Sequence, residues 1–241
     1  MTAPPAAKPL TTADWAIVVV ALFLPTAITW FYFIVLAKAP AAVQQTAYAA
    51  VKTVQFALPV VWVWLVQRER PTFPRPSRKG LLLGALFGLA VAAAMAVLYF
   101  AVLKPRGLFV ESANEVRTKI KAFGINTLAG YLLFALFCSA VHSLAEEYYW
   151  RWFVFRQLSR GSYLALAIAI SSVGFAAHHV LVLQVYFGWH SPLTWLFSAG
   201  VAVGGAVWAW LYHKSGSLYA PWLSHAIVDA AIFIVGYDLL V

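Results

Sequence analysis

Seven runs of about twenty residues or more, each apolar almost throughout, follow one another along this chain of 241 residues, at roughly 15–37, 44–66, 80–103, 127–150, 162–187, 193–212 and 217–240. A helix rises about 1.5 Å per residue, so each run can cross a hydrocarbon layer about 30 Å thick. The expected fold is therefore all-α, a polytopic transmembrane bundle of about seven spans. Composition agrees: 63% of positions are apolar and 10% charged, against about 45–50% and about 25% in soluble domains. A soluble globular protein and a disordered chain are both excluded.

Between the runs lie the expected punctuation signals, Lys38-Ala39-Pro40, the Arg/Pro stretch from Arg68 to Gly80, Lys104-Pro105-Arg106-Gly107 and Lys214-Ser215-Gly216. Residues 1–13, with three prolines and no apolar period, read as a disordered lead. Residues 14–126 hold the first three spans and residues 127–241 the remaining four. Glu111–Phe123 breaks the series, since Val116, Ile120 and Phe123 share one helical face and Glu115 precedes Lys119 by four residues. That is the pattern of an amphipathic helix lying in the interface. Small residues at Gly80, Gly84 and Gly88, and at Gly200 and Gly204, have the small-xxx-small spacing of close helix packing, inside the bundle or at a dimer face.

The net charge of +9 comes from cations at the ends of apolar runs. Lipid headgroups and the positive-inside bias account for that placement, and nucleic acid is not an expected partner. The loop 68–79 carries five cations and one acid, which puts it and the N-terminus in the cytoplasm, most simply at a bacterial or archaeal inner membrane. The bias is modest, nine cations inside against six outside. A single cysteine, Cys138, allows no internal disulfide.

Ionisable groups within a span are costly, so those present point to function. They sit on three runs: His142, Glu146 and Glu147 on the fourth, His178 and His179 on the fifth, His225 and Asp229 on the seventh. Glu147 and Arg151 are four apart and can neutralise each other, whereas Glu146 points about 100° away and stays outside that pair. His225 and Asp229 share a face, so Asp229 can hold one imidazole nitrogen and set its tautomer. Counted from the turn near Arg160, Glu146 and His179 lie at about 21 Å and about 28 Å on two antiparallel helices, close enough to be neighbours. His142, one turn from Glu146, either tunes it or bonds within the bundle. His178, about 100° from His179, is expected to face lipid or pack behind the site. Lys52 and Gln55 interrupt the second run, and Lys52 either snorkels or offers a counter-charge to substrate.

Three segments then resemble the motifs of the CPBP family of intramembrane proteases (CAAX protease and bacteriocin-processing, also called Abi). They are Glu146-Glu147-Tyr148-Tyr149-Trp150-Arg151, Phe175-Ala176-Ala177-His178-His179 and His225-Ala226-Ile227-Val228-Asp229, in the family's order. The resemblance covers about residues 127–235 and implies an endopeptidase acting on a membrane-associated protein or peptide. It implies that Glu146 and His179 activate water, that His225 and the residue at 229 bind the oxyanion, and that Glu147, Arg151 and Phe175 support them. Two positions depart from the pattern. Trp152 stands where many members have glycine, and Asp229 where the prenyl-protein proteases have asparagine. An ionised carboxylate cannot donate to an oxyanion, so Asp229 is either protonated or orients His225.

No cofactor is required by this reading. Zinc is an alternative, with Glu146, His179, His225 and Asp229 as the mixed nitrogen and oxygen ligands. Two non-enzymatic readings also compete, a proton-relay transporter using the same groups and a silent immunity protein. No inverted repeat or pair of broken helices supports the first, and intact Glu146, His179 and His225 argue against the second. The substrate, the membrane face of the site and the oligomeric state are left open by the sequence.

Overall fold

A computed structural model describes residues 9–122, 124–125 and 127–240. Among these residues there are helices and no strands. Seven helices are long and apolar enough to span a membrane: α1 (Thr12–Val35), α2 (Ala41–Val66), α3 (Arg78–Leu103), α5 (Leu128–Gly161), α6 (Leu164–Phe187), α7 (Pro192–Ser215) and α8 (Tyr219–Leu240). A shorter helix, α4 (Val110–Ala122), lies between α3 and α5. The outward faces carry large apolar side chains such as Phe23, Val97, Leu133 and Ile234, all more than half exposed, which suits them to lipid rather than water.

Two boundaries differ from the sequence reading, each for a local reason. Helix α1 begins at Thr12, inside the segment expected to be disordered, because Thr11 and Asp14 form a reciprocal capping box. Residues 1–8 of that expected lead lie outside the described residues. Helix α5 runs 34 residues to Gly161 and does not stop near 150. Its polar tail is partnered: Arg156 and Arg160 share Glu69 at 3.5 and 3.3 Å, and Gln157 bonds Gln67.

Helix α5 is not uniform. Two π-helical stretches, Phe137–His142 and Tyr148–Phe155, flank a short α-helical turn, Ser143–Glu147. Such widened turns change which side chains share a face and recur at functional sites. Trp152 belongs to the second stretch, where it is buried, stacks on Tyr148 and Phe73, and donates from Nε1 to Thr72 O at 3.0 Å. Trp152 thus ties α5 to the loop before α3.

The bundle is held by α6 against α7 and by α3 against α8, with α1 on α6 and α8 along α5. Glycines make the second of these contacts possible. A Cβ on Gly84 would lie 2.2 Å from Ala220 O, and one on Gly88 2.9 Å from Ser224 O. The Gly80, Gly84 and Gly88 stripe is therefore an internal packing seam. Gly200 has nothing within 4 Å, while Gly205 approaches Ser172 of α6, so the close contact on α7 is made one residue beyond the expected pair. Helix α4 packs on α6 and α8 with Ala113 buried and Val116 and Ile120 half-buried, and Arg117 donates to Leu239 O at 3.0 Å. The side chains of Glu115 and Lys119, and Phe123, lie outside the described residues.

Candidate active site

The site is assembled by α5, α6 and α8, with α7 behind it. Glu146 leaves the short α-helical turn of α5 and is 6% exposed. Three imidazoles surround its carboxylate: His142 Nε2 and His178 Nε2 each at 3.6 Å from Oε1, and His225 Nε2 at 3.7 Å from Oε2. A buried carboxylate is costly unless donors or cations face it, and this ring of nitrogens supplies them.

Glu147, one residue on, points elsewhere and is fully buried. Its Oε2 is 3.1 Å from Arg151 Nε, and its Oε1 is 2.9 Å from His225 Nδ1. Arg151 is enclosed in turn, lying over the rings of Phe175 and Trp208 and donating to Gly205 O at 3.2 Å. The His225 ring stacks on Trp208 at 4.0 Å between centroids, and Trp208 Nε1 donates to Ser224 Oγ at 2.9 Å. Phe175 touches Arg151, His178, His179 and His225 with one ring. The imidazole of His225 is thus fixed by a carboxylate on one side and an indole face on the other.

His179 Nδ1 lies 2.9 Å from Phe175 O. A carbonyl only accepts, so Nδ1 carries the proton and Nε2 is left as an acceptor.

Several expectations are corrected by this geometry. Asp229 does not set the tautomer of His225: its Oδ1 is 3.6 Å from Nε2, beyond hydrogen-bond range, while Glu147 holds Nδ1. Glu147 is therefore more than a brace for Arg151, since one carboxylate serves both. His178 does not face lipid; it is 5% exposed, stacks on Trp150 and faces Glu146. Rings of His178 and His179 lie 4.1 Å apart, so the 100° between them on the helix still leaves both beside one carboxylate. The anticipated zinc ligands are not gathered as a set. Among the described residues, the acids, histidines and cysteines whose ligand atoms lie within 4.8 Å of one another are Glu146, His178 and His179. His225 and Asp229 stand apart from that group. The role of Trp208 was missed by the sequence reading, as nothing in an apolar run marks which indole backs a histidine.

Residues 128–231 match a family model described as type II CAAX prenyl endopeptidase Rce1-like. No curated protein and no solved structure matches the chain.

Proposed function

From the match of residues 128–231 to a CAAX prenyl endopeptidase family model, we propose that this chain is an intramembrane endopeptidase of the CAAX protease (CPBP) family, hydrolysing a membrane-associated protein or peptide with water activated by Glu146 and His179. The observation that carries the reading is Glu146 itself, a buried carboxylate ringed by nitrogens and left out of the Glu147–Arg151 pair. Water held between the Glu146 carboxylate and the acceptor nitrogen of His179 loses its proton to Glu146 as its oxygen attacks the scissile carbonyl. The carbonyl oxygen gains the negative charge, and His225 receives it. With Nδ1 tied to Glu147, a second proton on Nε2 turns that nitrogen into a donor aimed at the oxyanion, in a site where water does not compete. Glu146 then returns its proton to the leaving amine. Asp229, if protonated, adds a second donor. The family description points to a prenylated CAAX tail as the substrate class to try first.

The deciding experiment uses the purified, detergent-solubilised protein and a prenylated CAAX peptide. Glu146→Gln is expected to lower cleavage by at least about a hundredfold with the melting temperature unchanged, because an amide cannot take the proton. Full activity in that variant sinks the mechanism.

A zinc-dependent version of the same hydrolysis has one observation in its favour, the Glu146, His178 and His179 cluster. Two histidines and a carboxylate with a fourth position open are the donor set of catalytic zinc sites. Bound there, zinc would supply an activated water and polarise the carbonyl. Elemental analysis of the purified protein, with and without His178→Ala, separates the two: stoichiometric zinc lost in the variant favours the metal, metal-free protein that cleaves favours Glu146 as base.

A further inference from the structure

A groove on the outer side of α5 is used by neither the motifs nor the mechanism. Its volume is about 430 Å³, within the about 300–1,000 Å³ of small-molecule sites. Val141, Leu144, Ala145 and Tyr148 form its floor, the i, i+3, i+4 and i+7 positions of one helical face. Phe73 and Pro74, from the loop before α3, and the start of α8 form its walls. The lining carries no charge, and Val141 and Phe73 are half exposed.

The loop wall is fixed, since Phe73 stacks on Trp152 and Ser217 Oγ donates to Pro74 O at 3.0 Å. The groove also has a direction. Its loop end lies level with the first turns of α3 and α8, which abut: a Cβ on Gly80 would lie 3.6 Å from Ala220 Cβ. At the other end Trp222 Nε1, inside α8, donates to Ala140 O at 2.8 Å, next to Val141. From Tyr148 to Val141 the floor therefore runs about 10 Å into the span.

Charge gathers at the loop end. Arg75 follows Pro74 directly, and Arg78 and Lys79 open α3. All three are exposed, and among the described residues none pairs with an acid within 4 Å. The acid of that loop, Glu69, is taken by Arg156 and Arg160. An apolar slot entering the span from unpaired cations is complementary to an amphiphile with an anionic head and a hydrocarbon tail. A neutral chain would leave the cations unanswered, and a soluble anion would leave the slot empty.

We propose that the groove binds one anionic phospholipid of the adjoining leaflet. Arg75, Arg78 and Lys79 hold its phosphate, and one acyl chain lies along Tyr148, Ala145, Leu144 and Val141. The chain then backs the turn of α5 that carries Glu146 and Glu147, whose side chains are buried in the bundle. The site does not depend on the proposed hydrolysis, because its ligand is bound and not cleaved.

The test is native mass spectrometry of delipidated protein in neutral detergent, titrated with phosphatidylglycerol or phosphatidylcholine of the same acyl chains. One phosphatidylglycerol is expected to bind at least about tenfold more tightly than phosphatidylcholine and to raise the melting temperature. Arg75→Gln combined with Arg78→Gln and Lys79→Gln lowers its affinity to that of phosphatidylcholine. Val141→Trp fills the deep end and weakens phosphatidylglycerol as well. Lys38→Gln with Arg106→Gln and Lys121→Gln removes the same charge between spans at the opposite end and leaves the affinity unchanged. The groove variants alter exposed side chains, and thermal unfolding without lipid checks that they fold. Equal affinity for the two lipids, a preference that survives loss of Arg75, Arg78 and Lys79, or an equal loss in the distant variant overturns the site. So does full affinity in Val141→Trp. Displacement of phosphatidylglycerol one for one by a farnesylated peptide assigns the groove to substrate and overturns the lipid.

Discussion

Glu147 and Asp229 are both acids within reach of His225, yet their surroundings give them different parts. Glu147 is fully buried between Arg151 and His225 Nδ1, at 3.1 and 2.9 Å. Removing its charge strands a buried guanidinium, and breaking such a pair costs about 3–5 kcal/mol. Glu147→Gln is therefore expected to lower both the melting temperature and cleavage, read by thermal unfolding in detergent beside the peptide assay. Asp229 is partly exposed and stands 3.6 Å from His225 Nε2 without a hydrogen bond. Asp229→Asn should leave the melting temperature within a degree or two and, since an amide donates, keep or raise activity. Equal loss of stability in both variants would contradict this division of roles. Of this arrangement, the i, i+4 spacing of Glu147 and Arg151 is legible in the sequence. The bond from Glu147 to a histidine 78 residues away is not.

Glycine decides how closely two helices approach, and α3 and α8 show it most directly. Ser224 and His225 lie on the part of α8 that Gly84 and Gly88 admit, so the depth of that contact sets where His225 stands. Gly84→Ala places a methyl 2.2 Å from Ala220 O. The helices must separate, at a cost of about 1–3 kcal/mol, with activity falling as His225 moves. Gly200→Ala is the control, because nothing lies within 4 Å of that Cβ and alanine favours helix by up to about 1 kcal/mol. Thermal unfolding of the pair checks the argument: a drop for the first and none for the second is expected. The spacing of both glycine stripes is visible in the sequence; which stripe meets another helix depends on the rotation of α3 and α7, and no local pattern sets that. The same limit applies to α5, whose π-helical stretches no residue in the run announces.

Seven spans place the two ends of the described chain on opposite sides of a bilayer, and from the basic loop 68–79 we propose that the end near residue 9 is inside. With Cys138→Ser removing the native thiol, Arg75→Cys in intact cells is expected to react with a membrane-impermeant maleimide only after permeabilisation, and Trp189→Cys without it. The reverse pattern inverts the topology and leaves the bundle untouched. At this scale the sequence by itself determined the class of molecule, the number of spans and the three runs that carry carboxylates and imidazoles, because hydrophobic length and the cost of ionising groups in lipid are local, additive properties. Only the tertiary structure decided that His178 faces Glu146 and that Glu147 rather than Asp229 holds His225. Each depends on which faces of separate helices meet, and that follows from close packing of glycines, indoles and widened turns far apart in the chain.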